Sequence, residues 1–142
     1  VDSATAKVIA GLNGAAPVRL GALQVQPVSN QYGVLMLSSI DGKNVTESKR
    51  LVLTALGDAQ NTGTRWYAKK DSVSDWGKGP TYARGINARI SLLSDETKLT
   101  VWSLDATGAR RSQVPSSYRN GTLTFTIGPQ WQTTWYEISA AP

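Results

Sequence analysis

Chemistry in this 142-residue chain must be done without histidine and without cysteine, since neither occurs. That removes the usual general base, the usual zinc ligands, every thiol mechanism and any Ser-His-Asp triad. Carboxylates are left, and there are ten. Cleaving a glycosidic bond usually needs two carboxyl groups about 5–10 Å apart. Asp41, Asp58, Asp71, Asp75, Asp95, Glu96 and Asp105 instead fall in or beside turn signals, where Asp commonly caps its own backbone. Glu137 lies in a strand-like run beside Trp135, where pairing with an arginine is the expected role. No pair falls on neighbouring strand ends, so the expectation is a protein that is not an enzyme. The run Gly77-Lys-Gly-Pro80 is no phosphate cradle: the hydroxyl after the lysine is missing, and Pro80 lacks a backbone donor. No cofactor is expected. A structural calcium stays open, because Asp58, Asn61, Asp71 and Asp75 are close in sequence and carry hard oxygen ligands, although turn chemistry accounts for them better.

The aromatic residues are more informative. There are five Trp, five Tyr and a single Phe. Indole and phenol rings join a flat apolar face to a polar handle. A pyranose can lay its axial C–H face on such a ring while its equatorial hydroxyls bond to Asp, Asn, Gln, Lys or Arg. Trp76 stands in the loop-like run Ser72-Val-Ser-Asp-Trp-Gly-Lys-Gly-Pro80, with Asp75 and Lys78 beside it and glycines that let a ligand approach the backbone. Trp131 follows another turn, Gly128-Pro-Gln130. Trp66 and Tyr67 open a strand, so alternation turns one of them outward. The candidate carbohydrate-binding residues are therefore Trp66, Tyr67, Trp76, Tyr82 and Trp131, with Asp75, Lys78 and Arg65 as polar partners. A bland alternative applies to each: a loop tryptophan often plugs the end of a sandwich. Trp102 is expected in or half in the core. Trp135 and Tyr136 must point to opposite faces, so at most one is exposed.

The elements that would position these residues read as strands. Short Val/Leu/Ile/Thr/Tyr/Trp runs alternate with Gly, Asn, Asp and Pro, which predicts strands over 6–12, 19–28, 32–40, 50–58, 64–69, 81–93, 98–105, 123–127 and 133–139. Turn signals separate them: Asn13-Gly14, Asp41-Gly42, Asn61-Thr-Gly63, Gly77–Pro80, Thr107-Gly108 and Asn120-Gly121. Leu123, Phe125 and Ile127 alternate with threonines, the mark of a half-buried strand, whereas Leu51–Leu56 is apolar throughout and reads as central. One helical turn over 45–49, capped by Asn44 or Thr46, is also expected. The fold class that follows is all-β, a β-sandwich of two antiparallel sheets over 1–142. Its net charge of +5 is spread over short basic runs with no stripe and no RNP-type motif, so no nucleic acid is expected as partner. No apolar run approaches the ~20 residues of a membrane span, so no membrane partner is expected either.

Several runs recur in a familiar order: Ser39-Ile-Asp-Gly-Lys43, Glu47-Ser-Lys-Arg-Leu51, Leu53-Thr-Ala-Leu56, Asn61-Thr-Gly63, Asp75-Trp-Gly-Lys-Gly-Pro80, Leu104-Asp105 and Thr134-Trp-Tyr-Glu-Ile138. Together they resemble the C-terminal β-sandwich region that follows the catalytic barrel in bacterial glycoside hydrolases. The stretches 1–7 and 108–120 depart from that pattern. The resemblance implies secretion, attachment to a glycoside hydrolase catalytic domain, and either a carbohydrate-binding role or support of the barrel; the first expectation is a carbohydrate-binding module whose polysaccharide ligand is a plant cell-wall β-glycan. Its alternative is a purely structural domain packed against the barrel. A start at Val1 rather than Met fits a module cut from a longer protein, and a monomer is expected.

Overall fold

The computed structural model describes residues 1–11, 16–28 and 32–140. Two antiparallel sheets pack face to face around one core, so the molecule is the expected all-β sandwich. The larger sheet runs in the order β1 (Ala6–Ala10), β4 (Val34–Ser39), β5 (Arg50–Thr62), β14 (Trp135–Ala140), β10 (Leu99–Leu104) and β11 (Arg110–Val114), with β8 (Lys78–Gly85) paired to the far end of β5. The smaller sheet runs β12 (Ser116–Arg119), β13 (Thr122–Ile127), β9 (Ala88–Leu93), β3 (Leu23–Pro27) and β2 (Val18–Leu20). A short ribbon of β6 (Arg65–Trp66) and β7 (Val73–Asp75) stands apart.

Period-two patterning explains the layering. Leu51, Leu53 and Ala55 on β5 and Tyr136 and Ile138 on β14 face Leu23 and Val25 on β3, Ile90 and Leu92 on β9, and Leu123, Phe125 and Ile127 on β13. Burying each large aliphatic side chain contributes roughly 1.5–3 kcal/mol, so this layer dominates stability. Leu51–Leu56 is interior to its sheet, flanked by β4 and β14, as its apolar run requires. The β12–β13 hairpin turns on Asn120 and Gly121, whose φ values of 50° and 74° suit the Asn-Gly signal of a tight hairpin.

Several boundaries differ from the sequence expectation. The strand expected over 19–28 is a hairpin, folded at Gly21-Ala22, where Gly21 takes φ 53°. The strand expected over 81–93 divides at Ile86, which sinks into the core and carries the chain from one sheet to the other. The strand expected over 64–69 shrinks to Arg65–Trp66 because the chain turns at Lys70, φ 54°. The strand expected to end at 58 continues to Thr62, and β8 starts at Lys78, so Asn61–Gly63 and Gly77–Pro80 are partly ladder rather than wholly turn. The turn at 45–47 is not helical. Strands β11 and β12 occupy the 108–120 stretch for which no strand was expected: seven of its residues are Arg, Ser or Gln, with little apolar alternation. The turn signal at Asn13-Gly14 lies outside the described residues.

Candidate functional site

From Leu56 to Gly85 no residue is buried. The far half of β5, the β6–β7 ribbon and most of β8 form an arm that leaves the core. It is held by polar contacts. Asn61 Nδ2 donates to the Trp76 carbonyl at 3.1 Å, and Thr64 Oγ1 donates to the same oxygen at 3.2 Å. Thr81 Oγ1 donates to Asn61 Oδ1 at 2.6 Å, and Thr62 Oγ1 to the Pro80 carbonyl at 2.9 Å. Gly77 is obligatory here for a second reason besides its φ of 62°: a Cβ would lie 2.1 Å from the Thr62 carbonyl oxygen. Its role is to let two backbone segments of the arm touch, which differs from the ligand approach expected of it. Gly79, by contrast, faces open space.

This coreless arm carries four large exposed aromatics, Trp66, Tyr67, Trp76 and Tyr82. Trp66 (48% exposed) and Trp76 (73% exposed) wall one recess of about 240 Å³, together with Gln60, Asn61, Thr64 and Thr81. Trp66 Nε1 donates to Gln60 Oε1 at 3.3 Å, which orients the indole. Tyr82 lies across the ladder from Gln60, and Arg65 lies across from Asp75. Asp75 gives one carboxylate oxygen to the Gly77 amide at 2.9 Å. Lys78 sits opposite Thr62, and Tyr67 opens the ribbon's turn, its amide donating to the Ser72 carbonyl. The arm thus gathers seven of the eight residues selected from sequence.

Trp131 is the exception. It ends a 3₁₀ turn, Pro129–Trp131, beside the smaller sheet, half-buried against the core, and its Nε1 donates to the Thr126 carbonyl at 3.2 Å. The four oxygen-bearing residues considered for calcium are engaged separately. Asp58 pairs with Arg84 at 3.0 Å, Asp71 accepts from Ser72, Asp75 caps Gly77, and Asn61 Oδ1 accepts from Thr81. Among the described residues no three His, Cys, Asp or Glu side chains converge as a metal cluster.

Glu137 is clamped as expected, and by two arginines. Arg110 Nε reaches Oε2 at 2.7 Å and Arg50 Nε reaches Oε1 at 3.2 Å. Arg110 also lies over the Trp102 ring, 5.2 Å from its centroid. The hydrogen bond from Arg110, aided by the charges of Arg110 and Arg50, outweighs desolvation and holds the Glu137 carboxyl below its usual range. A carboxylate so held stays ionised near neutrality and cannot serve as a proton donor.

Sequence reasoning passed over one exposed surface. Trp135 is 40% exposed while Tyr136 is buried, as alternation required, and Trp135 shares the outer face of the larger sheet with Val8, Val34, Met36 and Leu56. The only signal lay in the apolar runs of β1 and β4, Val8-Ile9 and Val34–Leu37. It was unreadable because near-continuous apolar runs do not tell which face a second layer covers.

Compared with known proteins, the chain matches no family model, no curated protein and no solved structure. Fold and surface chemistry therefore carry the functional reading. Among the described residues no helix is long and apolar enough to cross a membrane.

Proposed function

We propose that this chain is a non-catalytic carbohydrate-binding module for neutral β-glycans of the plant cell wall, joined to a secreted glycoside hydrolase. The observation that carries the reading is the pair Trp66 and Trp76, two exposed indoles on one recess of an arm that has no core of its own. Large aromatics left in water are costly unless something covers them. A sugar ring suits these two, because each indole adjoins amide and hydroxyl groups, Gln60, Asn61 and Thr81, that can meet equatorial hydroxyls. Tyr67, Tyr82, Arg65, Asp75 and Lys78 extend the surface around the recess. Affinity electrophoresis of the chain through gels containing neutral β-glucan, xylan or mannan tests the reading. Retardation by at least one glycan, abolished by loss of the arm indoles, is expected; no retardation by any of them overturns it.

A second reading has its own observation. The outer face bearing Val8, Val34, Met36, Leu56 and Trp135 is the apolar patch that a domain docked on a catalytic barrel would hide. A chain that binds no glycan, yet is needed for folding of an attached barrel, would establish that structural role in its place.

A further inference from the structure

The charge of +5 looks scattered along the sequence, but the smaller sheet collects part of it on one side. In its ladders, residues directly opposite share a face. Ser117, Thr124, Ser91, Gln24 and Arg19 form one row across all five strands, from β12 to β2. Thr126, Arg89 and Gln26 form a second, and Arg119, Thr122 and Leu93 a third. The intervening residues, among them Ile90, Leu92, Leu123 and Phe125, point into the core, so these rows are the sheet's outer face. It holds three exposed arginines, and none of the five strands contains an Asp or Glu. None of the three forms an ion pair with a carboxylate among the described residues. Beside Arg89 lies a recess of about 520 Å³ shared with Ser117, Thr124, Gln130 and the edge of Trp131.

We infer that this face is a second binding surface, for an acidic polysaccharide carrying uronate carboxylates. Guanidinium groups are the natural partners of carboxylates, taking both oxygens through a planar fork. The serine, threonine and glutamine side chains between them supply the donors and acceptors that sugar hydroxyls need. A nucleic acid fits less well: single strands are bound by exposed aromatic platforms on which bases stack, and the one tryptophan here is half-buried with its N–H occupied. In taking a sugar chain as the ligand the inference rests on the glycan reading above, but its surface and its charge are separate from the arm.

Calorimetric titration with polygalacturonate at low salt tests it. The triple variant R19Q/R89Q/R119Q should lose at least tenfold in affinity. A charge-matched triple, K43Q/K49Q/K98Q, at exposed lysines off this face, should lose far less. Raising the salt should weaken wild-type binding, because the contact is ionic. If the arginine triple fails to fold, R89Q alone should still cost a few-fold. No binding to polygalacturonate, or equal losses in the two triples, overturns the proposal; so does single-stranded DNA binding as tightly as polygalacturonate through the same arginines. Neutral β-glucan titrated in parallel, with W76A, reports on the arm alone, so each surface can fail without the other.

Discussion

Asn61 holds Trp76 by its main chain and leaves its ring alone. Its Nδ2 donates to the Trp76 carbonyl at 3.1 Å, while its Oδ1 takes the Thr81 hydroxyl at 2.6 Å. Trp76 is thereby tied to both long strands of the arm although it belongs to neither. Its indole is the most exposed of the large aromatics. A ring presented on a fixed backbone binds with less ordering cost than one on a free loop. Four aromatics are exposed on a segment with no buried residue, and it is on these that the proposed glycan site rests.

Trp76→Ala should therefore weaken binding to a neutral β-glycan by about tenfold or more, that is ~1.4 kcal/mol or above. Its unfolding midpoint should barely move, since substitutions at exposed sites usually stay within about 0.5 kcal/mol. Trp66→Ala should behave alike in binding. Calorimetry beside thermal unfolding checks both; normal binding by the two variants would remove the recess from the site.

Gly77→Ala separates the arm from the sandwich. The new methyl group would meet the Thr62 carbonyl, and φ of 62° is strained for alanine. The arm should shift and glycan affinity should fall, while the core, which has no residue in this segment, keeps its cooperative unfolding. A single transition lowered as much as by a core truncation, about 2–5 kcal/mol, would show that the arm is part of the fold's stability.

Much of this architecture was legible before any coordinates. Leu123, Phe125 and Ile127 announced their buried face, Asn120-Gly121 its hairpin, and the Trp135–Tyr136 pair its opposite directions. The exposure of the arm aromatics was legible because aromatics in a run with no apolar period have no core to enter. What stayed hidden was tertiary. Ile86 gives no local sign that the chain changes sheets there. Strands β11 and β12 are polar because only Val114 and the half-buried Tyr118 reach the core, so their pairing comes from neighbours rather than from their own pattern. With β12 unread and β2 merged into β3, the placement of Arg19, Arg89 and Arg119 on one face could not be seen.

Asn61→Ala is the subtler test of preorganisation. It removes one of the two donors to the Trp76 carbonyl and the acceptor of Thr81, and leaves both indoles of the recess in place; the binding entropy separates this effect from loss of Asn61's own contact with the sugar. Affinity should drop several-fold, with a more unfavourable binding entropy as the looser arm is ordered on the ligand. Unchanged affinity would mean that Thr64 alone suffices to fix the Trp76 main chain.

The clamp on Glu137 sets a dependence on acid. Its folded pKa lies below the usual carboxylate value, chiefly because of the Arg110 hydrogen bond, so in acid the unfolded chain takes up the proton first. The stabilisation is complete above the usual carboxylate range and is lost as pH falls through the lowered folded value. Asp105 and Asp41 shift the same way. At Asp105 the Thr107 hydroxyl leads the hydrogen bonds; at Asp41 desolvation pulls upward and is outweighed by bonds from Ser48, Lys49, Ser39 and Lys43. The chain should thus lose stability progressively below the ordinary carboxylate range. Glu137→Gln isolates one contribution. Removing the charge leaves two guanidiniums facing a neutral amide, which at neutral pH should cost about 1–3 kcal/mol, toward the lower end because both arginine side chains are substantially open to solvent, which screens the pair. Glutamine does not titrate, so the gap between wild type and variant should be widest near neutrality and should close in acid. Urea unfolding of both proteins at pH values from neutral down to the acid limit of the native state measures that gap directly. A gap that stays constant, or widens as pH falls, would mean that the two arginines do not hold Glu137 in its charged form.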